Sequence, residues 1–439
     1  MTRRTLLALG AAGALPLRPA TTGRVVKKRG MIVRSARPED LEMPLEGFRD
    51  FITPADRLFV RSHHYVPAVD AASWRLAVAA EVRSPVSLTL DELKRMPRAE
   101  LTGVLECAGN GRGFFHPSMP GIQWEYGGVG NARWSGVRLK DVLERAGVKT
   151  AGRHVVFSGA DQPVGTQPKF ERSIPLERAL DPNTLLAFDI NGEPLPAQHG
   201  FPLRLVVPGW ASDSSVKWIS KIDVRDREAD GFYMKTAYRY PGKSVTPGTA
   251  VPPEQMVPVT NLAVKSIIHT PGPTEFIRQG APVKIAGVAW ASGPVEGVDV
   301  SVDFEGKKWA PATLGRQEGP YSWREWSYTT VLPAKHQYIR ARARTASGEI
   351  QPLEPPWNPS GYLWNQVQSA GVVHEFPPGY REACHACHGE DIIEQQGLTP
   401  AQWEREVDKM IRWGAQVKPG NRKSILDYLN TYYGGRPMD

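Results

Sequence analysis

One short stretch, Glu106-Cys107-Ala108-Gly109-Asn110-Gly111-Arg112, constrains the chain more than any other. It follows Leu101-Thr102-Gly103-Val104-Leu105, an apolar-biased run that reads as the end of a strand. Two glycines and an asparagine then let the backbone turn sharply and come close to something. Cys107 sits where strand gives way to loop, with Arg112 nearby in sequence. A thiolate is a soft metal ligand, and neighbouring positive charge favours its ionised form. A lone cysteine beside a tight turn is more often a buried, inert side chain, so the reading depends on the rest of the chain.

At 439 residues the chain exceeds one ordinary core, and two or three domains are expected. Abundant glycine (42) and proline (39) favour short strands and many turns over long helices. The 41% hydrophobic content is that of a globular protein, and no apolar run reaches the length of a membrane span. The net charge of +8 is spread along the chain without a Lys/Arg-rich helix or an aromatic RNA-binding string, which argues against nucleic acid. It suits a pocket for small anions, or docking to an acidic electron carrier. The amino terminus has the layout of a twin-arginine export signal over residues 1–20, with Arg3-Arg4 and a mild apolar run through Leu15. Export of the protein to the periplasm follows as an expectation. Residues 21–46 are dense in charge and low in periodicity, and predict a tether.

Further along, Arg61-Ser62-His63 puts an arginine and a histidine on one face of a strand, suited to one anionic group. Adjacent His63 and His64 lack a Cys or carboxylate partner at a familiar zinc spacing. Residues 127–137 are glycine-rich but lack the Lys-Ser/Thr ending of a phosphate loop, and lead into a helix over Leu139–Ala146. Residues 155–161 read as a strand ending in Asp161, and 203–207 as a strand carrying Arg204 after the loop-rich run from Asn191.

Taken in order, Glu106–Asn110, Ala132-Arg133-Trp134-Ser135-Gly136-Val137, His199-Gly200-Phe201-Pro202-Leu203-Arg204 and Val216-Lys217-Trp218 closely resemble segments of the sulfite oxidase family. The resemblance covers about Leu58 to Tyr362. It implies a molybdenum-molybdopterin cofactor, with Cys107 as the metal's thiolate ligand. Arg61, Ser62, His63, Asp161, His199, Arg204, Lys217 and Trp218 fall at cofactor-contacting positions; Ser62 stands where the family carries Asn. Arg61, Arg112 and Tyr238 fall at positions that hold the substrate anion, with Tyr233 and Tyr240 as neighbouring packing residues. The segment 356–362 resembles one that carries a substrate-pocket arginine in the animal enzymes; here that place holds Ser360.

Beyond the prolines at 252, 253 and 258, period-two alternation over 282–290, 298–304, 323–331 and 337–344 predicts a β-sandwich of immunoglobulin type. The resemblance implies a homodimer through it. The last stretch carries Cys384-His385-Ala386-Cys387-His388, the attachment pattern of c-type haem, with two thioether cysteines and His388 as axial ligand. A zinc half-site would need a second ligand pair, and only Cys107 remains among the three cysteines. Thr399 and Pro400 start a helix over 400–413 with Trp403, Val407, Met410 and Ile411 on one stripe. Met410 is a natural sixth haem ligand. A final helix is predicted over 425–433.

The fold class is therefore α+β: a sulfite oxidase-type molybdopterin domain over 40–248, an immunoglobulin-like domain over 255–362 and a small α-helical cytochrome c domain over 377–439. The function implied is oxidation of a small anionic sulfur substrate, sulfite to sulfate, by oxygen-atom transfer. Electrons would leave through haem c to a soluble cytochrome c. Two alternatives stand beside it: a sulfane dehydrogenase of a thiosulfate-oxidising complex, and a non-catalytic haem electron carrier or redox sensor.

Overall fold

The computed structural model describes residues 22–435 apart from 279, 304–305 and 333–337. The export signal expected over 1–20 lies outside the described residues. Among those described, no helix is long and apolar enough to cross a membrane.

Two five-stranded sheets build the first domain. One runs Glu193–Pro194, Leu185–Ile190, Val129–Arg138, Arg98–Glu106, with Arg204–Val206 also paired to Leu185–Ile190. The other runs Val86–Leu88, Leu76–Ala80, Ile219–Arg225, His154–Gly159, Glu171–Pro175. All its pairs are antiparallel except Leu76–Ala80 with Ile219–Arg225. The helix Leu139–Ala146 forms as expected. Leu139, Val142, Leu143 and Ala146 recur at helical spacing and are all fully buried against this sheet, in a core shared with Leu76, Phe157, Ile222 and Val224.

The tether predicted over 21–46 is not one. Ile32–Ala36 and Glu39–Glu42 form a hairpin, Leu41 exchanges main-chain hydrogen bonds with Val60, and the Gln198 amide clamps the main chain of Val26. The domain thus begins well before residue 40. Its charges are what hid the segment: Asp40 and Glu42 are buried, each satisfied by an arginine.

The sandwich packs Lys265–Thr270, Pro282–Trp290, Arg324–Val331 and Thr313–Leu314 against Ala310–Pro311, Val295–Ser301, Tyr338–Thr345 and Gln368–Gly371. Ile339, Ala341 and Ala343 point into its core and Arg340, Arg342 and Arg344 away from it, as period two demands. The boundary expected at 362 is wrong in both directions. Gln368–Gly371 completes the second sheet, whereas 356–364 leaves the sandwich and returns to the first domain, where Leu363 N–H donates to Ala108 O. The edge strand, Gln-Ser-Ala-Gly, has none of the β-branched residues that mark strands.

The last of the described residues form four helices, Tyr380–Cys384, Glu390–Glu394, Pro400–Arg412 and Pro419–Tyr433, around Tyr380, Trp403, Val407, Ile425 and Leu429. Thr399 caps the third helix in a reciprocal capping box with Gln402. On the expected stripe Trp403 and Val407 are buried, but Ile411 is exposed. The last helix starts at Pro419, earlier than the apolar pattern from Ile425 suggested, because proline serves at its first turn.

Candidate active site

Cys107 directly follows the strand Arg98–Glu106, where Glu106 pairs with Val129 at the start of the neighbouring strand. Its N–H donates to Gly128 O at 2.8 Å, and its carbonyl receives Asn110 N–H at 2.9 Å. The Asn110 side chain ties the turn together, donating to Glu106 Oε1 and accepting from Gly128 N–H, both at 2.9 Å. Gly111 takes φ +89°, and a Cβ there would lie 2.5 Å from the Trp364 ring, so both conformation and space demand glycine. The turn is further anchored to the sandwich, because buried Glu106 also pairs with Lys265 and accepts from Trp290 Nε1 at 2.8 Å.

The result is one cavity lined by Cys107 together with Arg61, Ser62, His63, Asp161, His199, Arg204, Lys217, Trp218 and Tyr238. Six separate stretches of sequence meet there: 61–63, 107, 161, 199–204, 217–218 and 238. Arg61 donates to Asp40 Oδ1 at 3.2 Å, to Ser62 O at 2.6 Å and to His63 Nδ1 at 3.0 Å. His63 Nε2 lies 2.7 Å from the Tyr238 hydroxyl. Lys217 Nζ donates to Ser62 Oγ and Gln198 O, each at 3.0 Å. Arg204 is fully surrounded and donates to carbonyls of His199, Leu205 and Ser215. The Trp218 indole N–H donates to Ala197 O at 2.7 Å, fixing the loop that presents His199.

The charge balance is lopsided. Burial draws Lys217 down to about 7 and Arg204 down to about 9. Among the described residues Arg204 donates only to main-chain carbonyls, and no carboxylate offsets its buried charge. Asp161 sits nearby, its carboxyl pushed up by burial and pulled down by His64 and Lys217. A cavity with fixed donors and surplus buried cations is built for an anion. Burial also raises the Cys107 thiol, while Arg61 and Arg112 lower it. It therefore stays protonated on its own, and a soft metal ion would draw the proton off. These residues fit a molybdopterin cofactor: cations for its phosphate and a thiolate for its metal.

Arg112 is placed differently from the expectation. It lies beside the Cys107 turn but does not line the cavity; its guanidinium donates to Ile122 O at 3.2 Å, lies 3.5 Å from Ser360 O and covers the Tyr362 ring. Through that contact the segment 356–362 reaches the turn that carries Cys107.

The comparisons with known proteins agree with this geometry. Residues 63–233 match the family described as oxidoreductase molybdopterin binding domain, and residues 257–372 match the Mo-co oxidoreductase dimerisation domain. Mitochondrial sulfite oxidase of Homo sapiens is 37% identical over 364 residues, covering 78% of this chain and 66% of the human one. Sulfite oxidase of Gallus gallus is 35% identical over 76% of each chain. The chain belongs to the sulfite oxidase family. Among solved structures, the sulfane dehydrogenase SoxCD from Paracoccus pantotrophus matches with a TM-score of 0.67 at 27% identity, over 84% of this chain and 94% of that one. This chain thus spans slightly under two thirds of the human protein's length.

A second cavity, of about 380 Å³, lies among the C-terminal helices and is lined by Cys384, Cys387, His388 and Met410 together with apolar Trp403, Val407, Ile425 and Leu429. His388 Nδ1 lies 3.2 Å from Gly389 O, which only accepts. Its N–H is therefore on Nδ1, and Nε2 keeps a lone pair for a metal. His385 is not available in the same way, because it bonds Glu390. Among the described residues no three His, Cys, Asp or Glu side chains cluster as a metal site would require.

Several residues of the first site escaped sequence reasoning. Asp40 anchors both Arg61 and the Ser62 main chain. Arg172 pairs with Asp213 at 2.6 Å, both buried, and covers the Tyr238 ring. Burial pushes the Asp213 carboxyl up to about 6 despite that pair. Tyr362 stacks on Tyr238, and Phe170 on His63. Asp40 lies between Glu39 and Leu41-Glu42 and reads as solvated charge, and Phe170, Arg172 and Asp213 carry no local pattern that marks them. Tyr233, expected to be packing, does pack, with its ring 4.4 Å from that of His63.

Proposed function

We propose that the protein is a molybdenum-dependent sulfite dehydrogenase that oxidises sulfite to sulfate and passes the electrons through its own c-type haem to a soluble cytochrome. The observation that carries this reading is the convergence of Cys107, Arg61 and Tyr238 with the buried cations Arg204 and Lys217 around one cavity. Bound there, the cofactor supplies two-electron oxygen-atom transfer.

The chain's own residues do the rest. Cys107 holds the metal, and His199, Arg204 and Lys217 hold the anionic tail. Arg61 supplies positive charge to the substrate anion and is kept in place by Asp40. Because Arg61 donates to His63 Nδ1, the His63 hydrogen is on Nε2 and is donated to the Tyr238 oxygen. That leaves the Tyr238 O–H free to donate to a substrate oxygen. Burial keeps Tyr238 well above the ordinary phenol pKa and, with Arg61, keeps His63 well below the ordinary imidazole value, so neither group ionises. Phe170, Tyr233 and Tyr362 pack around this pair and exclude water.

For the electron outlet, Cys384 and Cys387 would form the two thioether bonds, and His388 Nε2 and Met410 would be the axial ligands. A periplasmic location fits covalent haem and the export signal in the sequence, and the sandwich would form the homodimer contact. The second reading, a sulfane dehydrogenase, is favoured by the likeness to the Paracoccus structure and by Ser360, which leaves less charge for a free anion. Metal analysis should give one molybdenum and one haem iron per chain. Cytochrome c reduction driven by free sulfite supports the first reading. Reduction driven only by carrier-bound sulfane sulfur replaces it with the second, and absence of molybdenum overturns both.

A further inference from the structure

Lys28 belongs to the basic tract Lys27-Lys28-Arg29, outside both segments that match known families. Its side chain turns inward from this tract. Its ammonium lies 2.6 Å from Ala55 O, 2.8 Å from Leu58 O and 2.7 Å from His199 Nε2. An ammonium has three hydrogens and no lone pair, and here it has three acceptors, one for each. The carbonyls cannot donate, so the third hydrogen goes to His199 Nε2. That nitrogen must then present its lone pair, and the hydrogen of the neutral imidazole is on Nδ1. A competing arrangement would have Nε2–H donate to Ala55 O at 3.2 Å. It would aim that hydrogen into a region already filled by the closer ammonium. His199 Nδ1 makes no hydrogen bond among the described residues, and the ring lines the cavity of Cys107. Burial, with Lys28, Lys217 and Arg204, keeps the ring neutral.

We propose that Lys28 is a positioning residue for the cofactor, holding His199 in the Nδ1–H tautomer so that the ring donates to the cofactor's anionic end. It acts through His199. The segment ahead of the family-matched domain is thus part of the cofactor site. The donor function rests on the molybdopterin reading above; the tautomer rests on the protein alone.

Two measurements test this. Burial draws Lys28 down to about 7, so long-range ¹⁵N–¹H correlation spectra of the full chain are recorded at pH 6, where it is an ammonium, to read the tautomer; His199→Asn identifies the signal. Wild type should show His199 protonated on Nδ1, and Lys28→Met should lose that preference. Cofactor retention, measured as molybdenum and released pterin per chain after dialysis, should fall about tenfold in Lys28→Met, as for other groups that orient a ligand. In the His199→Asn background, where the amide offers a donor near the Nδ1 position and no Nε2 remains, Lys28→Met should cost nothing further. An Nε2–H signal in wild type overturns the proposal, and needs no Lys28 variant to fold. Equal loss of cofactor in both backgrounds also overturns it, by making Lys28 act independently of His199. Wild type without molybdenum would instead overturn the functional reading, while the spectrum still decides the tautomer.

Discussion

Replacing Glu106 with glutamine removes one charge from the joint between the cysteine turn and the sandwich. The Glu106 carboxylate pairs with Lys265, accepts from Trp290 Nε1 and receives the Asn110 amide, and both partners of the ion pair are at most 4% exposed. Glutamine keeps the shape and an acceptor oxygen but leaves Lys265 buried without a counter-charge. Breaking a buried pair from one side costs about 3–5 kcal/mol. For a cooperative unit of 150–250 residues that lowers Tm by about 6–20 °C. Lys265→Met alone should also destabilise, by stranding the carboxylate. The double variant removes both charges and should recover about 1–3 kcal/mol relative to the sum of the singles. Urea denaturation followed by tryptophan fluorescence, with Trp290 at the joint, reads all four proteins. A Glu106→Gln shift below about 1 kcal/mol, or strict additivity in the double variant, would refute the claim that this pair holds the two domains together.

Two further outcomes follow from the two cavities and a third from the Arg112 segment beside the first. Tyr238→Phe should keep molybdenum but lose one charge-assisted donor to substrate, lowering kcat/KM about ten- to a hundredfold; unchanged steady-state turnover would remove Tyr238 from the chemistry. Met410→Ala should leave haem covalently attached and lower its reduction potential in a spectroelectrochemical titration, because the axial thioether is lost; an unchanged potential places the sixth ligand elsewhere. Ser360→Arg brings a second guanidinium beside Arg112 and should lower the KM for sulfite about ten- to a hundredfold while changing kcat less. A raised KM in a folded, molybdenum-loaded variant would show that this pocket is not shaped for free sulfite.

Much of this architecture was legible because its signals are local. The helix Leu139–Ala146 announces itself by spacing, and the sandwich by alternation, as in Ile339 to Ala343. Most of the residues lining the Cys107 cavity were legible because they sit in strings that resemble the family's in the same order. What stayed hidden depends on partners distant in sequence. Asp40 and Lys28 look like solvated charge in a linker until folding brings Arg61 and His199 to them. Arg112 shows the converse: its place in the motif is clear, yet Ile122 and Ser360 decide where its guanidinium lies. The strand Gln368–Gly371 has no propensity of its own and is recruited by pairing to Tyr338–Thr345.

The central claim is that substrate electrons enter at Cys107 and leave at the haem held by Cys384, Cys387 and His388. Anaerobic addition of sulfite to purified protein, followed at the haem α-band, tests it most directly. The account expects stoichiometric haem reduction in wild type. It expects none in Cys107→Ser, whose hydroxyl is a poorer ligand for a soft metal, although that variant should remain folded and haem-loaded. A wild-type protein that carries molybdenum and haem yet leaves its haem oxidised, or a Cys107→Ser variant that reduces it as fast as wild type, would contradict the account.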